Sequence, residues 1–174
     1  MEITWSIVLA AGSGSRFGGN KQQAMLGHQR VVEWSIATAQ TCCDGVVLVV
    51  HPDTVNDSYE PGAEIVVAGG KSRSESVRNG LQVVPPEATI VVVQDAARPG
   101  ASVDLYRSVI EAVQAGADAA IPGLAVIDTL KRVIDTPTGK EVKETVDRDT
   151  LMAIQTPQAF KRHVLEVAHA CGEE

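Results

Sequence analysis

Between Ala10 and Lys21 the chain reads Ala-Ala-Gly-Ser-Gly-Ser-Arg-Phe-Gly-Gly-Asn-Lys, which sets four glycines, two serines and two cations directly behind a short apolar run. Glycines leave backbone N–H groups open to phosphate oxygens, and Arg16 and Lys21 supply counter-charge. The segment lacks the Gly-Lys-Ser/Thr ending of a P-loop. Phe17 stands where a dinucleotide fingerprint needs its third small residue, so a nicotinamide oxidoreductase is disfavoured. The plainer reading of the loop is a flexible connection.

Two further clusters carry chemistry. Gly69-Gly70-Lys71-Ser72-Arg73-Ser74-Glu75-Ser76 puts a glycine pair before a helix whose first turn is rich in donors. Such a turn suits an anion or the edge of a nucleobase, although Ser72 and Glu75 also have the spacing of an ordinary capping box. Asp95-Ala96-Ala97-Arg98-Pro99 places a carboxylate at the end of an apolar strand, with two small residues leaving room for a ligand. That carboxylate is placed to hold Mg²⁺; the plainer reading is a loop-capping Asp beside a salt-bridging Arg.

Alternating strands and helices must position these clusters. Ser6 to Ala11, Gly45 to His51, Glu64 to Ala68, Thr89 to Gln94 and Ala119 to Ile121 are short runs with the β-branched or apolar character of buried strands. Val31 to Gln40, a helix capped by Ser72 and running to about Val84, a helix capped by Ser102 and running through Ala115, and Lys161 to Ala170 read as helices. The alternation predicts a Rossmann-like α/β fold, with a mainly parallel sheet and ligands bound beyond the carboxyl ends of its strands. From Ile127 the pattern changes. Thr129 to Ile134, a polar turn with Pro137 and Gly139, and Glu141 to Val146 predict a β-hairpin arm over about 127–148.

A length of 174 residues predicts one domain, here 1–174 including the arm. The apolar fraction is 44% with only 3% aromatic residues, so aliphatic side chains must fill the interior. A net charge of -7 argues against general nucleic-acid or anionic-membrane binding and leaves room only for local cationic clusters. Cys42, Cys43 and Cys171 form neither a disulfide framework nor a zinc spacing, and no leader or membrane span is apparent, so a reducing, cytoplasmic setting is expected. The four histidines, His28, His51, His163 and His169, are scattered and read as surface or core residues.

Taken in order, Leu9-Ala10-Ala11-Gly12-Ser13-Gly14-Ser15-Arg16, Gly69-Gly70 with Ser76-Val77, Gln94-Asp95-Ala96-Ala97-Arg98-Pro99, Asp128-Thr129-Leu130-Lys131 and Gln155-Thr156-Pro157-Gln158-Ala159-Phe160 resemble the 2-C-methyl-D-erythritol 4-phosphate cytidylyltransferase family. The set also fits its ribitol-phosphate relative. The resemblance spans nearly the whole chain and implies a nucleotide-diphospho-sugar transferase type of fold. It implies an Mg²⁺-dependent transfer of CMP from CTP to a polyol phosphate, with Arg16, Lys21 and Asp95 catalytic and Asp95 the metal ligand. Ala10, Ala11, Gly12, Gly14, Gly70, Lys71, Ser76, Ala96 and Arg98 would bind the nucleotide. Thr129, Lys131, Arg148 and Thr156 would bind the acceptor, in a homodimer where the arm of one subunit closes the other's site.

Two departures accompany the resemblance. Gly18-Gly19-Asn20-Lys21-Gln22 is shorter than the family's spacer and looks like that of the molybdenum-cofactor nucleotidyltransferases. The family's pattern also continues to a further strand and helix with a Thr, a carboxylate and a Lys that have no counterpart up to Glu174. The expectation is a truncated chain or an incomplete site, and hence, as the alternative function, a CTP-binding domain with little turnover.

Overall fold

The computed structural model describes residues 2–12, 21–56 and 61–170. It divides into two compact units, Met1–Ile121 with Thr156–Glu174, and Pro122–Gln155.

The first unit is built on strands β1 (Thr4–Ala10), β4 (Gly45–Val50), β5 (Ile65–Ala68), β6 (Ile90–Asp95), β7 (Ala119–Ala120) and β12 (Gln158–Lys161); β2 (Met25–Leu26) and β3 (Gln29–Arg30) form a small hairpin beside them in sequence. The six-stranded sheet has the order β5-β4-β1-β6-β12-β7. Strands β1, β4, β5 and β6 pair in parallel, and β12 lies antiparallel between β6 and β7. The expected mainly parallel sheet is thus present. Strand β12 is an addition: four residues with polar ends carry too little periodicity to announce a strand.

The sheet is buried on both faces, and alternate residues serve opposite layers. Val8, Val46, Leu48, Val50, Ile90 and Val92 pack with helices α1 (Val31–Cys42) and α3 (Val103–Gln114). Ile7, Leu9, Val47, Val49, Val91 and Val93 pack with α2 (Arg73–Val83) and α4 (Arg162–Ala170). Helix α3 shows why it folds so: Tyr106, Val109, Ile110 and Val113 recur on one face and are its buried residues. Ser102 caps it by accepting the Leu105 N–H at 3.2 Å, and Gly116 ends it at φ +114°.

From β1 the chain winds outward through β4 to β5, then returns to the other side of β1 as β6. The winding reverses between β1 and β6, and loops leaving the carboxyl ends there splay apart. No helix among the described residues is long and apolar enough to cross a membrane.

The second unit holds β8 (Gly123–Ala125) paired with β11 (Met152–Ile154), and a hairpin of β9 (Leu130–Thr136) and β10 (Gly139–Val146). Residues Pro137 and Thr138 make the turn, and Gly139, at φ +135°, starts the return strand. The expected hairpin is therefore observed, with a pair of flanking strands beyond it. Val142, Met152 and Ile154 stay exposed, as a two-stranded ribbon without a covering helix must leave them.

Candidate active site

The carboxyl ends of β1, β4, β5 and β6 open into a cleft of ≈ 1050 Å³. Its walls come from the four loops behind these strands and the first turn of α2. Lys21, Lys71, Arg73 and Arg98 face it against two carboxylates, Asp95 and Glu75, so the cleft is locally cationic in an acidic chain. Such an excess, at strand ends and helix starts, favours an anionic ligand.

Asp95 is the last residue of β6 and the centre of the charged wall. Its Oδ1 lies 3.1 Å from Nε of Arg73, and its Oδ2 3.4 Å from Nε of Arg98. The loop behind it is clamped. Gln94, fully buried, donates from Nε2 to the carbonyls of Asp95 at 3.1 Å and Arg98 at 3.0 Å. Ser35 of α1 donates to the Ala96 carbonyl at 3.0 Å, and the Ala96 N–H reaches the Leu9 carbonyl at 2.9 Å. The Asp95 N–H donates to Oγ1 of buried Thr156 at 3.2 Å, next to the cis Thr156–Pro157 peptide. These bonds run to β1, α1 and the segment before β12, so the carboxylate stands on a fixed platform.

The opposite wall is a tight backbone turn. The Gly69 N–H donates to the Val50 carbonyl at 2.7 Å, and the Gly70 N–H to Oγ of Ser76 at 3.0 Å. Ser72 accepts the Glu75 N–H at 3.1 Å, as a cap should. The reciprocal half of the expected capping box is absent: the Glu75 carboxylate accepts the Lys71 N–H at 2.7 Å, one residue before the cap. A Cβ on Gly69 would sit 2.3 Å from Cβ of Ala11, and one on Gly70 would sit 2.2 Å from Cγ of Glu75. Only glycine lets the Gly69 turn approach Ala11 so closely, and at Gly70 it leaves room for the Glu75 side chain.

Of the predicted residues, Ala11, Gly12, Lys21, Gly70, Lys71, Ser76, Asp95 and Arg98 line this one cleft. Arg16 and Gly14 lie outside the described residues. Ala10 and Ala96, expected beside the nucleotide, have their side chains in the core layer with α1 and α3. The pleat at the end of β1 turns Ala10 inward, the bonds of Ala96 to Leu9 and Ser35 hold it against the core, and Ala11 and Ala97 are left to line the cleft. Thr156 supports Asp95 from below rather than lining the cleft. Thr129, Lys131 and Arg148 belong to the second unit, where Lys131 donates to Thr145 at 2.7 Å and Arg148 to the Ile127 carbonyl at 2.5 Å.

Sequence reasoning left Arg73 and Gln94 out of the site residues. Arg73 had a signal, since it sits inside the glycine and serine cluster; Gln94 had one in being the lone amide of an apolar strand. Beside Arg73, the Nδ1 of His169 lies 3.2 Å from Oγ of Ser74, and burial, then the Arg78 and Arg73 cations, lower its pKa.

A family model for 2-C-methyl-D-erythritol 4-phosphate cytidylyltransferase (IspD) matches residues 4–174. A bifunctional enzyme IspD/IspF of Solidesulfovibrio magneticus is 38% identical over 95% of this chain and 45% of its own, so the chain spans about half the length of that relative. The 2-C-methyl-D-erythritol 4-phosphate cytidylyltransferase of Streptomyces avermitilis is 38% identical over 95% of this chain and 73% of its own. The crystal structure of the enzyme of that name from Thermus thermophilus superposes with a TM-score of 0.75 at 30% identity, covering 98% of this chain and 76% of that one. The chain belongs to the 2-C-methyl-D-erythritol 4-phosphate cytidylyltransferase family.

Proposed function

We propose that this family member transfers CMP from CTP to 2-C-methyl-D-erythritol 4-phosphate and releases pyrophosphate. The observation that carries the reading is the cleft itself: a glycine-built backbone wall on one side and, on the other, Asp95 set among Lys21, Lys71, Arg73 and Arg98. A phosphate oxygen of the acceptor attacks the α-phosphorus of CTP; the new P–O bond forms as the bond to pyrophosphate breaks. The nucleophile is already an anion, so no side chain has to remove a proton.

The site must hold two polyanions together and stabilise charge growing on the phosphoryl oxygens. Lys21 reaches that region from the first loop, and Arg16 is assigned the same task. Gly12, Gly70 and Ser76 frame the nucleotide, with Ala11, Lys71 and Arg98 around it. Thr129, Lys131 and Arg148 are assigned to the acceptor.

Mg²⁺ fits the donor set. It needs only one or two carboxylates beside substrate phosphates and water, and Asp95 presents one carboxylate into a cleft sized for a triphosphate. When bound through Asp95, it would neutralise the triphosphate and polarise its phosphoryl oxygens.

A homodimer through residues 122–155 belongs to the same proposal. Leu124, Ile127, Val133, Ile134, Val142, Met152 and Ile154 are all exposed in that unit, apolar surface that a second copy of the chain would cover. The setting proposed is the cytoplasm. The test is pyrophosphate release from CTP and Mg²⁺ with 2-C-methyl-D-erythritol 4-phosphate or ribitol 5-phosphate as acceptor. Release with the first and not the second supports the assignment; release with neither, in a chain that binds CTP, refutes transfer.

A further inference from the structure

Resting on the assignment of the cleft to CTP and of Asp95 to the metal, we propose that Arg73 is a positioning residue that occupies Asp95 until a triphosphate enters, so that the divalent cation arrives with the nucleotide and not before it.

Both oxygens of the carboxylate are taken in this structure, Oδ1 by Arg73 at 3.1 Å and Oδ2 by Arg98 at 3.4 Å. A divalent cation on Asp95 would sit against two guanidinium charges, so its binding is favoured when one guanidinium moves away. Arg98 is the poorer candidate to leave, because it belongs to the same loop and its carbonyl is held by buried Gln94 at 3.0 Å. Arg73 stands on another element, and its side chain is 49% exposed. Its remaining contact, from Nη2 to Oε1 of Gln158, is a long 3.4 Å.

The position of Arg73 is itself informative. It is the first residue of α2, where the helix dipole opposes a positive charge. A cation set there is held by its partners, and Asp95 is the anionic one. An exposed ion pair of this kind is weak. A triphosphate carries several negative charges into the same cleft and offers Arg73 stronger acceptors, each charge-assisted. The exchange turns Arg73 from Asp95 to the nucleotide and frees one carboxylate oxygen as phosphate oxygens come within reach of a shared cation. Nucleotide and cation then strengthen each other's binding, as linkage requires.

The experiment uses the full chain and Mn²⁺ as the probe, with free Mn²⁺ followed by electron paramagnetic resonance and metal-free CTP binding followed by calorimetry. The proteins are the parent, Arg73→Gln, Arg73→Lys, Asp95→Asn and the double variant of Arg73→Gln with Asp95→Asn, each checked for folding by circular dichroism. Without nucleotide, Arg73→Gln should bind Mn²⁺ about tenfold more tightly than the parent, and metal-free CTP about tenfold more weakly. Arg73→Lys, which keeps the charge without the fork, should lie between, and it carries the test if Arg73→Gln does not fold. Adding Asp95→Asn should erase the gain in Mn²⁺ affinity. Unchanged Mn²⁺ affinity in folded Arg73 variants overturns the proposal while leaving the CTP assignment standing. A gain that survives Asp95→Asn overturns it too, and removes Asp95 as the metal ligand. A parent that does not bind CTP overturns the assignment and the inference together.

Discussion

Replacing Gly69 by Ala puts one methyl group between the glycine turn and Ala11, at the start of the loop behind β1. Its Cβ would lie 2.3 Å from Cβ of Ala11, 3.0 Å from Oγ of Ser76 and 3.3 Å from the Val50 carbonyl oxygen. Two carbons need roughly 3.5 Å, so the Ala11 backbone and the Gly69 turn must part by about 1 Å. Ala11 has no rotamer to change, and the loop it starts has to carry the shift. Overpacking of this size costs about 1–3 kcal/mol of stability, and a displacement near 1 Å in a positioning loop can lower turnover about a hundredfold. Urea unfolding, CTP calorimetry and pyrophosphate release measure the three effects. The decisive control is Ala11→Gly in the Gly69→Ala background, which removes the colliding atom and should restore most of the CTP affinity. Parental CTP affinity in Gly69→Ala, or no recovery in the double variant, would refute the claim that close approach of these two backbones shapes the nucleotide site.

Asp95→Asn should lower metal-dependent pyrophosphate release about a hundredfold or more, with stability changed by less than about 1 kcal/mol because its ion pairs are partly solvated; an unaltered metal titration would make Asp95 structural. Lys21→Ala should cost a similar factor in kcat with an unchanged unfolding midpoint, and a parental kcat would take Lys21 out of the mechanism. Gln94→Leu keeps the volume but leaves the Asp95 and Arg98 carbonyls without their buried donor, so urea unfolding should report a loss of about 1–3 kcal/mol and kcat should fall. Burial pushes the pKa of both Cys42 and Cys43 up, so both thiols stay protonated at neutral pH; mass spectrometry should find both slow to take iodoacetamide at pH 7, and rapid labelling of Cys43 would contradict its burial.

The strands and helices of the sheet were legible because each carries its own local signal. Strands β4 and β6 are aliphatic runs buried along nearly their whole length, and Ser72 and Ser102 announced their helices by capping chemistry that the hydrogen bonds reproduce. Strand β12 was illegible for the opposite reason. It has four residues, and it is a strand because β6 and β7 flank it, which is tertiary information. The cleft residues were legible as three separate clusters, since glycine runs and a strand-end carboxylate have meaning in sequence. Their joining was not: Arg73 and Asp95 are 22 positions apart, and parallel pairing of β1 with β4 and β6, and of β4 with β5, brings their elements to the same end of the sheet. The direction of Ala10 followed from pleat phase and that of Ala96 from its bonds to Leu9 and Ser35, neither of which residue type alone determines for alanine.

The two walls of the cleft divide the work differently. The glycine wall is held by main-chain N–H groups bonded to Val50, Ser76 and Glu75 and by atoms in contact, so it can fix the shape of a ligand. The Asp95 wall has a rigid base, with Gln94, Ser35 and Thr156 tied to its backbone, and half-exposed guanidiniums at its surface. A backbone clamped from below keeps the carboxylate in place while its counter-ions change. That arrangement gives a charge-sensitive surface without a moving loop, and it places the burden of any rearrangement on side chains whose pairing costs little to break.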